Sequence, residues 1–120
     1  MTATPRRFVL HHHLRPREHW DLRLEEDGVL RSWAVPRGLP TTPAGNRLAV
    51  AVDDHELDHL SYQDETKSID DEGTWEEEDR NDDRLLLVLH GRHGSRRYAL
   101  VRTERDWLLH LTVDQPRRPV

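Results

Sequence analysis

The chain has 120 residues, of which 34% are hydrophobic, with no cysteine and a net charge of −5. That apolar share lies below the roughly 45–50% usual for globular chains, so one small domain with a thin core and polar connections is expected. The missing cysteines exclude disulfides, thiolate metal sites and a cysteine nucleophile. The longest apolar run, residues 85–89, is far short of the ~20 needed to cross a bilayer; with no apolar stretch behind Met-Thr-Ala-Thr-Pro-Arg-Arg, the expectation is a cytoplasmic protein without a membrane partner.

In chain order, residues 1–7 read as a short N-terminal arm. Alternation of apolar and polar residues then predicts strands at 8–12, 20–25 and 29–35. Between the last two, Glu26-Asp27-Gly28 is a hairpin signal, because Asp-Gly supplies positive-φ turn positions. Residues 36–45, carrying Pro36, Gly38, Pro40, Pro43 and Gly45, can only be a loop. A strand follows at 47–52.

Residues 64–83 are strongly hydrophilic and are expected to form an acidic loop, with a weak strand signal at 74–77. Charge is segregated around it. Residues 49–84 hold 15 acidic and 3 basic side chains, a balance of −12, while 1–48 carry +3 and 85–120 carry +4. The acidic block reads either as a solvated loop or as a metal or partner site. Further strands are predicted at 84–90, 96–102 and 107–112, with a turn at Gly91-Arg92-His93-Gly94-Ser95 and a tail at 114–120. Many short strands and almost no helical periodicity predict an all-β domain: a compact antiparallel β-barrel, closed or nearly so, with a sandwich as the alternative.

Chemistry concentrates between His11 and Glu25. In a strand, His19, Asp21, Arg23 and Glu25 share one face while Trp20, Leu22 and Leu24 share the other. Two neutral imidazoles and a carboxylate suit a divalent transition metal with open coordination positions. A neighbouring strand bringing His13 alongside would complete a set of His13, His19 and Asp21, and Arg23, one step along, could then hold a phosphate oxygen. From pattern alone, the same face could equally lie in water. His55 and His59 form a second pair whose i, i+4 spacing would align them on a helical turn; by itself it reads as a polar loop. Seventeen of the 18 basic residues are arginine, which suits bidentate phosphate contacts and equally follows from codon composition.

Taken together, these motifs resemble the 3′-phosphoesterase module of bacterial DNA ligase D, which is also found as a free-standing protein. The family's H-x5-H-x-D-x-R pattern falls on His13, His19, Asp21 and Arg23. The likeness continues through Ser32-Trp33-Ala34-Val35-Pro36-Arg37-Gly38, Arg47-Leu48-Ala49-Val50, Asp54-His55, Gly73-Thr74-Trp75, Leu89-His90-Gly91 and Tyr98-Ala99-Leu100-Val101-Arg102-Thr103. The resemblance implies a β-barrel hydrolase that uses manganese to remove a 3′-terminal ribonucleoside or 3′-phosphate from DNA ends, leaving a 3′-hydroxyl for a ligase or polymerase of an end-joining system.

Carried over by position, His13, His19 and Asp21 match the metal ligands. Arg23 and His55 match catalytic phosphate contacts, and Arg37 and Arg47 match further phosphate-binding positions. His59 stands where the family commonly has a phosphate-contacting tyrosine, and residues 65–72, short and acidic, stand where it has a glycine-rich segment. These departures leave a second expectation: a non-catalytic module that binds metal or nucleic-acid ends within a repair system.

Overall fold

The computed structural model describes residues 4–116. Its strands are β1 (Arg6–His13), β2 (His19–Glu26), β3 (Val29–Val35), β4 (Arg47–His55), β5 (Lys67–Asn81), β6 (Arg84–Gly91), β7 (Gly94–Arg102) and β8 (Trp107–Leu111), with one short 3-10 helix at Leu57–Ser61. All pairings are antiparallel, in the closed order β1-β2-β3-β4-β8-β7-β6-β5, with β5 returning to β1. The expected barrel is therefore complete. The β2–β3 turn also forms as its sequence requires, with Asp27 at φ 53° and Gly28 at φ 82°. Among the described residues, no helix is long and apolar enough to cross a membrane.

Inward-facing residues fill the barrel. Phe8, Leu22, Leu24, Trp33, Leu87, Leu100 and Leu109 are fully or almost fully buried and form one cluster with Trp75 and Tyr98. Each such leucine contributes roughly 2 kcal/mol relative to exposure in water, which is how a chain with few apolar residues sustains a core. A second, smaller cluster lies on the outside of the barrel. Val9 and Leu30 are covered there by Leu60 of the 3-10 helix, with Leu57 and Ile69 alongside.

The acidic loop expected at 64–83 is corrected by the structure: 15 of its residues are β5, the longest strand. Cross-strand charge makes this possible. Glu78 is held by Arg97, Glu72 by Arg92, and Arg80 bridges to both Glu26 and Glu77. The acidic block is zipped onto the basic flanks rather than solvated apart from them. Trp75, buried at 2% exposure, anchors the strand by donating from Nε1 to the Glu25 carbonyl at 3.0 Å.

Smaller corrections concern the ends. Arg6 and Arg7, expected in the arm, already belong to β1. Gln115, expected in the tail, is bonded to both the backbone N–H and the carbonyl of Arg97 at 2.9 Å. Residues 1–3 of the arm and 117–120 of the tail lie outside the described residues.

Candidate metal and phosphate site

The β1–β2 ladder pairs Val9 with Arg23, His11 with Asp21, and His13 with His19. Directly paired residues project to the same face, so these six side chains line up on the outside of the barrel. The His13 and His19 rings lie 4.9 Å apart. His13 Nδ1 is 3.5 Å from Asp21 Oδ2, and His19 Nε2 is 3.1 Å from Asp21 Oδ1. One ligand atom from each of the three residues falls within 4.8 Å of the others, a grouping that could hold a metal ion.

The hydrogen bonding around His19 fits such a ligand. Its Nδ1–H donates to the Arg17 carbonyl at 2.8 Å, which fixes the tautomer and turns the lone pair of Nε2 toward Asp21. A metal-binding imidazole is commonly oriented by a donor bond of this kind.

The polar face of β2 is not in water. Asp21 is 4% exposed and Arg23 only 2%, and on the strands to either side Val9 and Leu30 are covered by Leu60 of the 3-10 helix. Arg23 is tied on three sides. Its Nε donates to His11 Nδ1 at 3.3 Å, Nη1 donates to Ser32 Oγ at 2.9 Å, and Nη2 lies 3.4 Å from Asp21 Oδ2. Nη2 is the guanidinium nitrogen that carries no hydrogen bond among the described residues.

His55 reaches this face through a β-bulge. Ser32 pairs with Val52, but Leu30 pairs with His55, so β4 holds one extra residue between the two pairs. Without it Asp54 would occupy this face. Beyond His55 the rings stack in series: His55 on His59 at 4.4 Å and 22°, then His59 on Tyr62 at 4.6 Å and 14°. His11 meets His59 edge-on at 5.1 Å. The pair that reads as a polar loop in the sequence is thus built into the site.

Among the described residues, no hydrogen bond or ion pair joins Arg37 or Arg47 to the cluster. Arg47 Nη1 donates to the Arg37 carbonyl at 3.0 Å, so the two meet each other beyond the end of β3. His12, central in the histidine run, points away; it stacks on Trp20 at 4.6 Å and bonds Glu18.

Four residues that the sequence did not single out complete the site. His11 is fully buried, donates from Nε2 to the Tyr62 carbonyl at 2.8 Å and accepts from Arg23. Ser32 receives Arg23, and Tyr62 ends the stack. Lys67, the chain's sole lysine, donates from Nζ to His59 Nε2 at 3.2 Å. His11 was discoverable, since it lies two residues before His13 and so shares its face; nothing local marks the others.

Electrostatically the site is cationic around one carboxylate. Burial, aided by the charges of Arg23 and Lys67, pushes His11 and His59 down to about 4. His13 and His55 are also held below the ordinary imidazole range, first by burial and then by Lys67 and Arg23 respectively. The shift favours the neutral form of these four rings, and of them His13 is a candidate ligand, for which that is the form that binds a metal. Three candidate ligands beside two fixed cations can bring together a metal and an oxyanion.

Comparison with known proteins points the same way. Residues 11–102 match the family described as the DNA Ligase D 3′-phosphoesterase domain. The chain is 39% identical to the multifunctional non-homologous end joining DNA repair protein LigD of Mycobacterium tuberculosis, in an alignment covering 96% of this chain and 17% of that protein. It is 38% identical to the LigD of Mycolicibacterium smegmatis, over 95% and 18%, and 36% identical to that of Pseudomonas aeruginosa, over 81% and 13%. The chain thus spans less than a fifth of the length of these relatives.

Proposed function

The chain belongs to the DNA ligase D 3′-phosphoesterase domain family, and from that premise we propose that it is a metal-dependent hydrolase that heals DNA 3′ ends. It removes a 3′-terminal ribonucleoside or a 3′-phosphate and leaves a 3′-hydroxyl, the end that a ligase or polymerase of an end-joining system requires. The observation that carries this reading is the placement of His13, His19 and Asp21, with ligand atoms within 4.8 Å, directly beside the buried Arg23.

His13, His19 and Asp21 would hold the ion, with manganese proposed as the cofactor. A divalent ion held there would supply Lewis-acid polarisation of a phosphoryl oxygen and activation of water. The protein's own groups do the rest. Arg23, locked through Nε and Nη1, presents Nη2 to charge developing on the phosphoryl oxygens without reorganising. His55, neutral at pH 7, acts as a hydrogen-bond donor to a phosphoryl oxygen or as a proton acceptor rather than as a cation. His59 supports its ring from behind. Arg37 and Arg47 are proposed as further phosphate-binding residues, as their match to the family's basic positions suggests.

The test is direct. Purified protein with manganese is expected to convert a DNA primer bearing one 3′-ribonucleotide, or a 3′-phosphate, to the 3′-hydroxyl form. Absence of conversion with manganese, cobalt, nickel and zinc overturns the enzymatic reading; metal-dependent retention of DNA ends in that case would identify a docking module. His13→Ala is expected to lose both metal binding and turnover.

A further inference from the structure

We infer that Lys67 is a phosphate-binding residue of this site, its ammonium group taking an oxygen of the phosphoryl group held beside His13, His19, Asp21 and Arg23. The inference rests on the phosphoesterase reading for the source of the phosphate. For the need of an anion it rests on Lys67 alone.

Lys67 is 9% exposed. Lysine is almost never buried to this extent without a partner, because taking an ammonium group out of water is costly unless an opposite charge or a full set of acceptors replaces the lost hydration. Among the described residues no carboxylate forms an ion pair with it. Its hydrogen-bond partner is the neutral His59 Nε2 at 3.2 Å, which satisfies one of three donors, and the Tyr62 ring lies 5.4 Å from the ammonium without accepting a hydrogen bond from it. The nearby carboxylates are committed: Asp21 to His13, His19 and Arg23, and Asp64 to the hydroxyl of Tyr62 and the backbone of Thr66 and Lys67. Two buried cations, Arg23 and Lys67, therefore flank one shared carboxylate. A bound oxyanion balances them.

The position is constructed rather than incidental. In the β1–β5 ladder Leu10 pairs with Asp71 but His11 pairs with Ile69, so Asp70 is an extra residue on β5. That bulge sets Ile69 opposite His11 and Lys67 opposite His13, on the face of the site; an unbroken ladder would put Ser68 there. The preceding loop is pinned as well. Asp64 accepts from Tyr62 Oη at 2.6 Å, Thr66 N at 2.8 Å and Lys67 N at 2.9 Å, while Leu14 N donates to the Thr66 carbonyl at 2.8 Å. Lys67 also falls within residues 65–72, the acidic stretch where the sequence departs from the family's glycine-rich segment, so it supplies a phosphate grip where one is missing.

Lys67→Met keeps the length of the side chain and removes the charge; Lys67→Arg keeps the charge. Three quantities are measured on the full chain: the affinity for inorganic phosphate with and without manganese, the affinity for manganese, and KM and kcat on a DNA end carrying a 3′-phosphate. Lys67→Met is expected to weaken phosphate binding and raise KM by about tenfold or more, the loss of one charge-assisted hydrogen bond. Manganese affinity is expected to be unchanged or tighter, the midpoint of thermal unfolding no lower, and Lys67→Arg to recover phosphate binding in part. A Lys67→Met protein with wild-type phosphate affinity and KM overturns the inference, as does one that is destabilised while still binding phosphate normally; each would make the lysine a structural donor to His59. The two readings fail separately. A wild-type chain that binds phosphate through Lys67 but turns over no DNA end removes the hydrolase and leaves the phosphate site; turnover indifferent to Lys67 does the reverse.

Discussion

Asp21 and Arg23, two residues apart on one face of β2, hold each other out of water: Oδ2 of the carboxylate lies 3.4 Å from Nη2 of the guanidinium, with the residues 4% and 2% exposed. The same carboxylate reaches both candidate histidine ligands. Asp21 therefore joins the candidate metal position to the cation behind it, and its two roles separate experimentally.

Asp21→Asn preserves shape but removes the charge that compensates Arg23. Breaking a buried pair on one side costs about 3 kcal/mol or more. Urea unfolding is expected to show that loss in metal-free protein, and a manganese titration to show binding abolished. An Asn variant as stable as wild type would mean that Arg23 does not depend on Asp21.

Ser32→Ala removes the acceptor for Arg23 Nη1, which lies 2.9 Å from Ser32 Oγ. One buried donor left unsatisfied costs about 1–2 kcal/mol. Since Ser32 itself has no role on the metal, manganese affinity is expected to be unchanged while kcat falls several-fold. Unaltered kcat would show that Arg23 is oriented without the hydroxyl.

Low pH is expected to destabilise the protein partly through His59. It faces His11 from β1, Arg23 from β2, His55 from β4, Lys67 from β5 and Tyr62 from the following loop, and it is pushed from 6.5 down to about 4, by burial first and then by Arg23 and Lys67. The unfolded chain then takes up the proton first. Stability is fully present above about pH 6.5 and is lost as pH falls toward 4, by at most about 1.4 kcal/mol per pH unit for this one group. Comparing urea midpoints at pH 7 and pH 5, His59→Gln should show a smaller drop than wild type. Equal drops would remove His59 from the acid sensitivity.

Gly73→Ala tests the place of β5 in the barrel. A Cβ at this position would sit 1.8 Å from the His90 carbonyl oxygen and 3.3 Å from the Phe8 ring. Backbone cannot yield as a flexible side chain does, so the substitution is expected to cost about 2 kcal/mol or more. A wild-type denaturation midpoint would place residue 73 outside the closed sheet.

Most of the sheet was readable because its strands alternate cleanly. Trp20, Leu22 and Leu24 point inward as period two demands, and Asp27-Gly28 makes the turn that its conformational freedom allows. His13 pairs with His19 as required for a three-residue metal cluster. β5 was not readable for a physical reason. Three of its acidic side chains, Glu77, Glu72 and Glu78, pair with Arg80 on β5 itself, Arg92 in the β6–β7 turn and Arg97 on β7, so local composition looks solvated where the tertiary ladder is closed. The polar face of β2 misleads similarly, because Asp21 and Arg23 are buried among partners that other strands supply, His11 and His13 from β1 and Ser32 from β3.

The sequence by itself determined the strand faces, the segregation of acid from base, and the collinear His13, His19, Asp21 and Arg23 that carry the family likeness. Only the tertiary structure decided that Arg23 is buried and that His11 and Ser32 fix it. It likewise decided that His55 and Lys67 are brought to the face that carries His11, His13 and Arg23. Both placements depend on one-residue bulges, and a register shift of one residue turns a side chain to the opposite face of a sheet. Where such a shift falls is settled by the partner strand, and so it cannot be read from the residues that shift.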